Sequence, residues 1–247
     1  IVVGTPGRLC DHLERKSLDL SACMTLVLDE ADEILDMGFQ EELDQILAAL
    51  PAERQSLLFS ATMAPGTRAL ADKTLRNPKN LAVSSGLTAA PEIAHVGYEC
   101  FPDKKADALV NILHVDHPGL AIVFCHTKAE TESLTERLRE EGFSSGHLNG
   151  DLPQAERTRT LNAFRRGHIE ILVATDVAAR GIDVKGVSHV YNLGVPRDPE
   201  TYIHRTGRTG RAGASGTAVT FVIPRDAPRF RRMLQNAGIK VDMKLLP

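Results

Sequence analysis

The chain has 247 residues, with 29 Lys and Arg against 32 Asp and Glu, a net charge of −3 and a hydrophobic fraction of 43%. Near-neutrality excludes a histone-like polycation and a disordered acidic tail, and the hydrophobic fraction suits a globular chain with its own core. The longest apolar stretches, such as Leu120–Cys125, fall far short of the roughly 20 residues a membrane span needs, so no membrane partner is expected.

Ile1-Val2-Val3 reads as a strand entered midway, and with no initiator Met the chain is expected to be a piece of a longer protein. From there, short β-rich runs alternate with helical patterns. The strands are expected at Thr25–Leu28, Ser56–Ser60, Leu81–Ser84, His95–Phe101, Leu120–Cys125, Ile169–Ala174, Val187–Asn192 and Thr217–Ile223. Helices are expected at Phe39–Leu50, Thr67–Leu75, Lys104–Val115, Ala129–Glu141, Gln154–Arg165 and Pro199–Thr206, with an amphipathic one over Arg225–Gly238. Such alternation predicts an α/β fold of right-handed βαβ units around parallel sheet. Thr127-Lys128-Ala129-Glu130 has the form of a capping box, and Gly142 that of a helix stop. The uncharged stretch Ser84 to Pro91 breaks the rhythm and reads as a linker, so residues 1–84, 85–91 and 92–247 are taken as a first domain piece, a linker and a second domain. The four cysteines (Cys10, Cys23, Cys100, Cys125) form no C-x-x-C pair and lie in apolar segments, as reduced thiols of a cytoplasmic protein do.

Ligands of an open parallel sheet bind beyond the carboxyl ends of its strands. Four strands deliver polar residues there: Asp29-Glu30-Ala31-Asp32, Ser60-Ala61-Thr62, His126-Thr127 and Thr175-Asp176. Paired carboxylates at a strand tip suit metal-assisted phosphoryl chemistry, one holding Mg²⁺ through water and the next orienting the attacking water. The plainer alternative is a helix N-terminus, where acids are favoured by the dipole. His204-Arg205-Thr206-Gly207-Arg208-Thr209-Gly210-Arg211 sets several guanidinium groups on an open, glycine-rich turn able to reach a phosphate bidentately. Its alternatives are a solvated basic loop or a generic nucleic-acid patch. Taken singly, Thr5-Pro6-Gly7-Arg8 is an ordinary turn, Ser60 a helix N-cap, and Arg157 with Arg159, Arg165 and Arg166 a solvated helix face. His114 and His117 lack a third ligand and read as surface histidines.

In this order the motifs resemble the DEAD-box family of ATP-dependent RNA helicases, over nearly the whole chain. The matches are Thr5-Pro6-Gly7-Arg8 (motif Ib), Asp29 to Asp32 (II), Ser60 to Thr62 (III), Ile122-Val123-Phe124 (IV), Gln154-x-x-Arg157, Ala174 to Asp183 (V) and His204 to Arg211 (VI). The resemblance implies two RecA-like parallel-sheet domains, the first incomplete and the second complete, that close on ATP and RNA together. It implies that Asp29 binds Mg²⁺, that Glu30 activates water, and that Arg208 and Arg211 are arginine fingers. Asp183 would meet the ribose, while Asp32, Ser60, Thr62 and His204 couple nucleotide state to RNA. Thr5, Gly7, Arg8, Gly150, Arg157, Thr175 and Arg180 would grip the RNA backbone without reading sequence.

Two departures touch the RNA side: Asn192-Leu193-Gly194 stands where the family has an Asn-Tyr-Asp-like sequence, and Asn149 where a His often precedes Gly150. No Gly-Lys dipeptide occurs, so the phosphate-cradling loop is not in this sequence, and the chain alone is expected to be inactive. The rivals are a DNA-directed motor of the same superfamily and a non-enzymatic RNA-binding protein. The tetrad with Ser60-Ala61-Thr62 argues against the first, and the intact set of visible catalytic positions against the second.

Overall fold

Val27 and Leu28 precede a pair of acids, and Leu57 and Leu58 precede Phe59-Ser60. In the computed structural model, which describes residues 1–81, 93–179, 182, 184–211 and 214–246, these two runs lie side by side as parallel strands. The chain divides into two units, Ile1–Val83 and Ser84–Pro247. The expected linker, residues 85–91, lies outside the described residues, as does the expected strand beyond Leu81.

The first unit contains α1 (Pro6–Glu14), β1 (Thr25–Leu28), α2 (Ala31–Asp36), α3 (Gln40–Ala49), β2 (Gln55–Leu58) and α4 (Pro65–Thr74). β1 and β2 pair from Thr25↔Gln55 to Leu28↔Leu58, so both strands end together and deliver their polar residues to the same rim. Cys10, Leu20, Ile46 and Leu50 pack α1 against α3, while Leu28, Ala31, Leu43 and Leu70 close the other side. Two expectations are corrected. Ile1-Val2-Val3 is not a strand: no described neighbour pairs with it, and Ile1 and Val3 stand in solvent. Thr5-Pro6-Gly7-Arg8 is not a simple turn but the start of α1, because proline at the first helical position forfeits no hydrogen bond and presets φ.

The second unit alternates strictly: β3 (Ile93–Glu99), α5 (Lys105–Asp116), β4 (Leu120–Cys125), α6 (Lys128–Glu140), β5 (Ser145–Leu148), α7 (Gln154–Arg165), β6 (Ile171–Thr175), α8 (Asp176–Ala179), β7 (Val187–Asn192), α9 (Pro199–Thr206), β8 (Gly216–Val222), α10 (Ala227–Asn236) and β9 (Asp242–Lys244). The strands form one all-parallel sheet in the order β5-β6-β4-β7-β8-β3-β9. Alternate residues of β4 face opposite cores. Ala121, Val123 and Cys125 pack on Leu109, Leu113, Leu134 and Leu138 of α5 and α6, while Ile122 and Phe124 pack with Phe164 of α7 and Ala178 of α8. Tyr202 of α9 and Phe230, Met233 and Leu234 of α10 extend the second layer. A parallel sheet covered on both faces explains why its strands read as continuous apolar runs.

Candidate functional site

The acidic tetrad is built by a strained turn. Glu30 follows β1 and caps α2 in the left-handed region, at φ 53° and ψ 48°, although it has a Cβ. Such a conformation costs on the order of 1–3 kcal/mol and persists only where its surroundings over-determine it. Here the surroundings are hydrogen bonds. Asp29 Oδ1 accepts from the Glu30 amide at 3.0 Å, and Phe59 links the strands by accepting from the Ala31 amide (3.0 Å) and donating to the Leu28 carbonyl (2.8 Å). Both acids are exposed at the strand exit.

Asp32 is different. It is buried, and its Oδ2 accepts from both the amide (2.9 Å) and hydroxyl (3.1 Å) of Thr62, while its amide donates to Ser60 Oγ at 3.2 Å. Ser60 is thus a helix cap, but of α2 and not of the helix that follows it. It satisfies one of the amides that every helix N-terminus leaves open. The two motifs the sequence separates by 28 residues are one hydrogen-bonded unit. On α1, Thr5 makes no capping bond, and the exposed Arg8 pairs with Asp11 at 2.6 Å.

In the second unit the centre of the site is Arg205, quoted in the sequence reading but given no role there. It is 2% exposed. Its Nε and Nη2 form a bidentate pair with Asp176 (2.5 and 2.7 Å), Nη1 donates to Asn192 Oδ1 (3.0 Å), and the guanidinium lies 5.1 Å from the centre of the Phe124 ring. Motif elements from β4, α8, β7 and α9 therefore meet on one side chain. The signal for it lay in Asp176 at a buried strand's exit and in Arg205 sharing a helix face with Tyr202 three residues earlier.

The arginine loop follows. Arg208 Nη1 donates to the Ile182 carbonyl at 2.8 Å, Arg211 Nε to the Gly207 carbonyl at 2.8 Å, and Thr209 Oγ1 to Val187 at 2.6 Å. Two glycines are required by this path. Gly210 sits at φ 66°, and a Cβ on Gly216 would meet Thr209 Oγ1 at 2.4 Å and the Gly210 nitrogen at 2.7 Å. His204 is half-buried on α9. Arg180 and Asp183 lie outside the described residues.

The remaining expected contacts lie on this unit as well. Thr175 ends β6, half-buried and in register with Cys125, whose thiol burial pushes up to about 12. His126, next in chain, has its pKa lowered by burial and by the Arg205 cation. Arg157 is not on the solvated face: it donates to the Ala178 carbonyl at 2.6 Å and ties α7 to α8, while Arg159, Arg165 and Arg166 are exposed. Asn149 is buried and donates to Glu132 Oε1 at 2.8 Å, leaving Gly150 exposed beside the Lys128–Asp151 ion pair.

Two family models cover most of the chain: DEAD/DEAH box helicase over residues 1–90 and helicase conserved C-terminal domain over residues 104–213. The DEAD-box ATP-dependent RNA helicase CshA of Bacillus licheniformis is 47% identical over the whole chain, which covers 51% of that protein. CshA of Geobacillus kaustophilus is 50% identical over 242 residues, 98% of this chain and 52% of that one. The chain thus spans about half the length of the curated relatives it matches. Among solved structures, Saccharomyces cerevisiae Dbp5 bound to RNA and ADP BeF3 superposes with a TM-score of 0.91 at 35% identity, over 99% of this chain and 65% of that one. A DEAD box protein from Methanococcus jannaschii gives 0.59 at 37% identity, over 99% and 66%. Both sheets have the parallel α/β form of the RecA-like domains in those structures.

Proposed function

The chain belongs to the DEAD-box helicase family, and from that membership we propose that it forms part of an ATP-dependent RNA helicase that separates short RNA duplexes by closing two units on nucleotide and RNA. The observation that carries the reading is the Asp32 junction, which makes a movement of the acidic tetrad inseparable from one of Ser60 and Thr62. Asp29 fits a Mg²⁺ ion as an exposed carboxylate at a strand tip, and such an ion neutralises charge on the phosphate oxygens when bound. Glu30 orients the attacking water and takes its proton. Arg208 and Arg211 stabilise the charge that builds on the transferred phosphate, on a loop seated by Arg205. Asp183 meets the ribose. Asp32, Ser60, Thr62 and His204 couple that chemistry to the RNA grip.

In this reading Thr5, Gly7 and Arg8 of the first unit and Gly150, Arg157, Thr175 and Arg180 of the second bind the sugar–phosphate chain. A local groove of this kind needs no global positive charge, which agrees with a net charge of −3. We place the domain limits at residues 1–84 and 92–247, and the protein in the cytoplasm.

The test compares the 247-residue chain with the complete protein in an RNA-stimulated ATPase assay. The chain alone, lacking a Gly-Lys phosphate loop, should show no turnover. In the complete protein Glu30→Gln should lower kcat by roughly 10²–10⁴-fold with nucleotide binding retained, and Arg208→Ala by roughly 10³-fold or more. Turnover by the chain alone, or stimulation by duplex DNA as strong as by RNA, would overturn the reading.

A further inference from the structure

α9 carries two polar side chains one turn apart, Tyr202 and Arg205, and both run into the sheet. From Arg205 a line of polar contacts crosses three adjacent strands. Its Nη1 donates to Asn192 Oδ1 on β7 (3.0 Å), and Asn192 Nδ2 donates to Thr220 Oγ1 on β8 (3.2 Å). Thr220 stands next to the Tyr202 phenol, whose oxygen lies 2.7 Å from Nδ1 of His95 on β3. All five side chains are buried, Asn192, Thr220 and Tyr202 completely.

Donor and acceptor chemistry fixes the direction at the Arg205 end. A guanidinium only donates, so Asn192 must turn its oxygen to Arg205 and its amide hydrogens to Thr220. Thr220 Oγ1 accepts from Asn192, and one hydrogen bond joins the phenol to the His95 ring. Burial keeps that ring neutral by holding the His95 pKa at about 4, against an ordinary 6.5. Successive bonds aligned in one direction polarise one another. The arrangement has a cost: His95 Nε2 is buried with no partner among the described residues, which is destabilising. An apolar set of the same shape would avoid it, so stability alone does not account for the line.

We propose that His95, Tyr202, Thr220 and Asn192 are positioning residues that fix the rotation and depth of α9, holding Arg205 on Asp176 and so setting where His204, Arg208 and Arg211 stand. The importance of those last three rests on the proposed function; the seating of Arg205 does not.

The test therefore uses neither ATP nor RNA. In the 247-residue chain, the Arg205 Nε–H signal is followed by nitrogen-15 NMR and its exchange with solvent measured, for wild type, Tyr202→Phe and Thr220→Val. Both substitutions keep the shape and remove only a hydroxyl. Tyr191→Phe serves as the control, since it removes a phenol of the same sheet that donates to Asp116 Oδ2 at 3.0 Å but is no part of the line. The proposal expects exchange at Arg205 to quicken by about fivefold or more in both line variants and by less than that in the control. A smaller change in either line variant, or an equal one in Tyr191→Phe, overturns it.

Discussion

Asp32 shows how much one side chain can organise. Its carboxylate receives two hydrogen bonds from Thr62 while its own amide is capped by Ser60, and it is 8% exposed. Asp32→Ala leaves the Thr62 amide and hydroxyl buried without an acceptor, which should lower the stability of the first unit by about 2–3 kcal/mol, read from its urea transition. Asp32→Asn should lose less, because an amide oxygen still accepts. His95 makes a second prediction, about pH. Its pKa is depressed in the folded state and ordinary in the unfolded one, so between about pH 6.5 and 4 the unfolded chain binds a proton that the folded chain refuses. Stability of the second unit therefore falls as pH drops through that window and levels off below it. Burial lowers the pKa values of His126 and His189 too, so His95→Gln should flatten the fall only in part, as seen in thermal midpoints measured from pH 7 to 4.

Among elements, β1, β4, β7, α7 and α9 were legible to the residue, because apolar runs between polar exits and proline or threonine starts leave little choice. β5 and β9 were not. Ser145-Gly146-His147-Leu148 has no β-branched residue and becomes a strand only because β6 offers it a ladder, and β9 similarly forms against β3. α1 was hidden by Pro6-Gly7, which reads as a turn until the following Leu9 and Cys10 are seen to pack on α3. The candidate site was legible as motifs but not as contacts. That Ser60 caps α2, or that Arg205 gathers Asp176, Asn192 and Phe124, depends on strand order, which no local pattern encodes. The capping box of α6 was legible and carries its own test. Thr127 Oγ1 accepts from the Glu130 amide at 3.1 Å, and Glu130 Oε2 accepts from the amides of His126 and Thr127. Thr127→Ala should cost about 1 kcal/mol of second-unit stability in a urea titration.

At the scale of the whole molecule the two units differ in how well they are closed. The first has a two-stranded sheet with Val27 and Phe59 exposed, whereas the second buries its central strands on both faces. Unpaired edges and exposed apolar side chains are liabilities, so limited proteolysis of the chain should degrade residues 1–83 first and leave a resistant product containing 93–246. No helix among the described residues is long and apolar enough to cross a membrane. The order of the larger sheet has a consequence for its biosynthesis. β3 is the first described strand of the second unit, yet among the described residues its neighbours are β8 and β9, and its first ladder partner, Gly216, lies roughly 120 residues later, a separation that slows folding. As the chain leaves the ribosome, β4 to β7 can dock in turn while β3 waits unmatched, so the sheet of the second unit closes only after β8 has emerged.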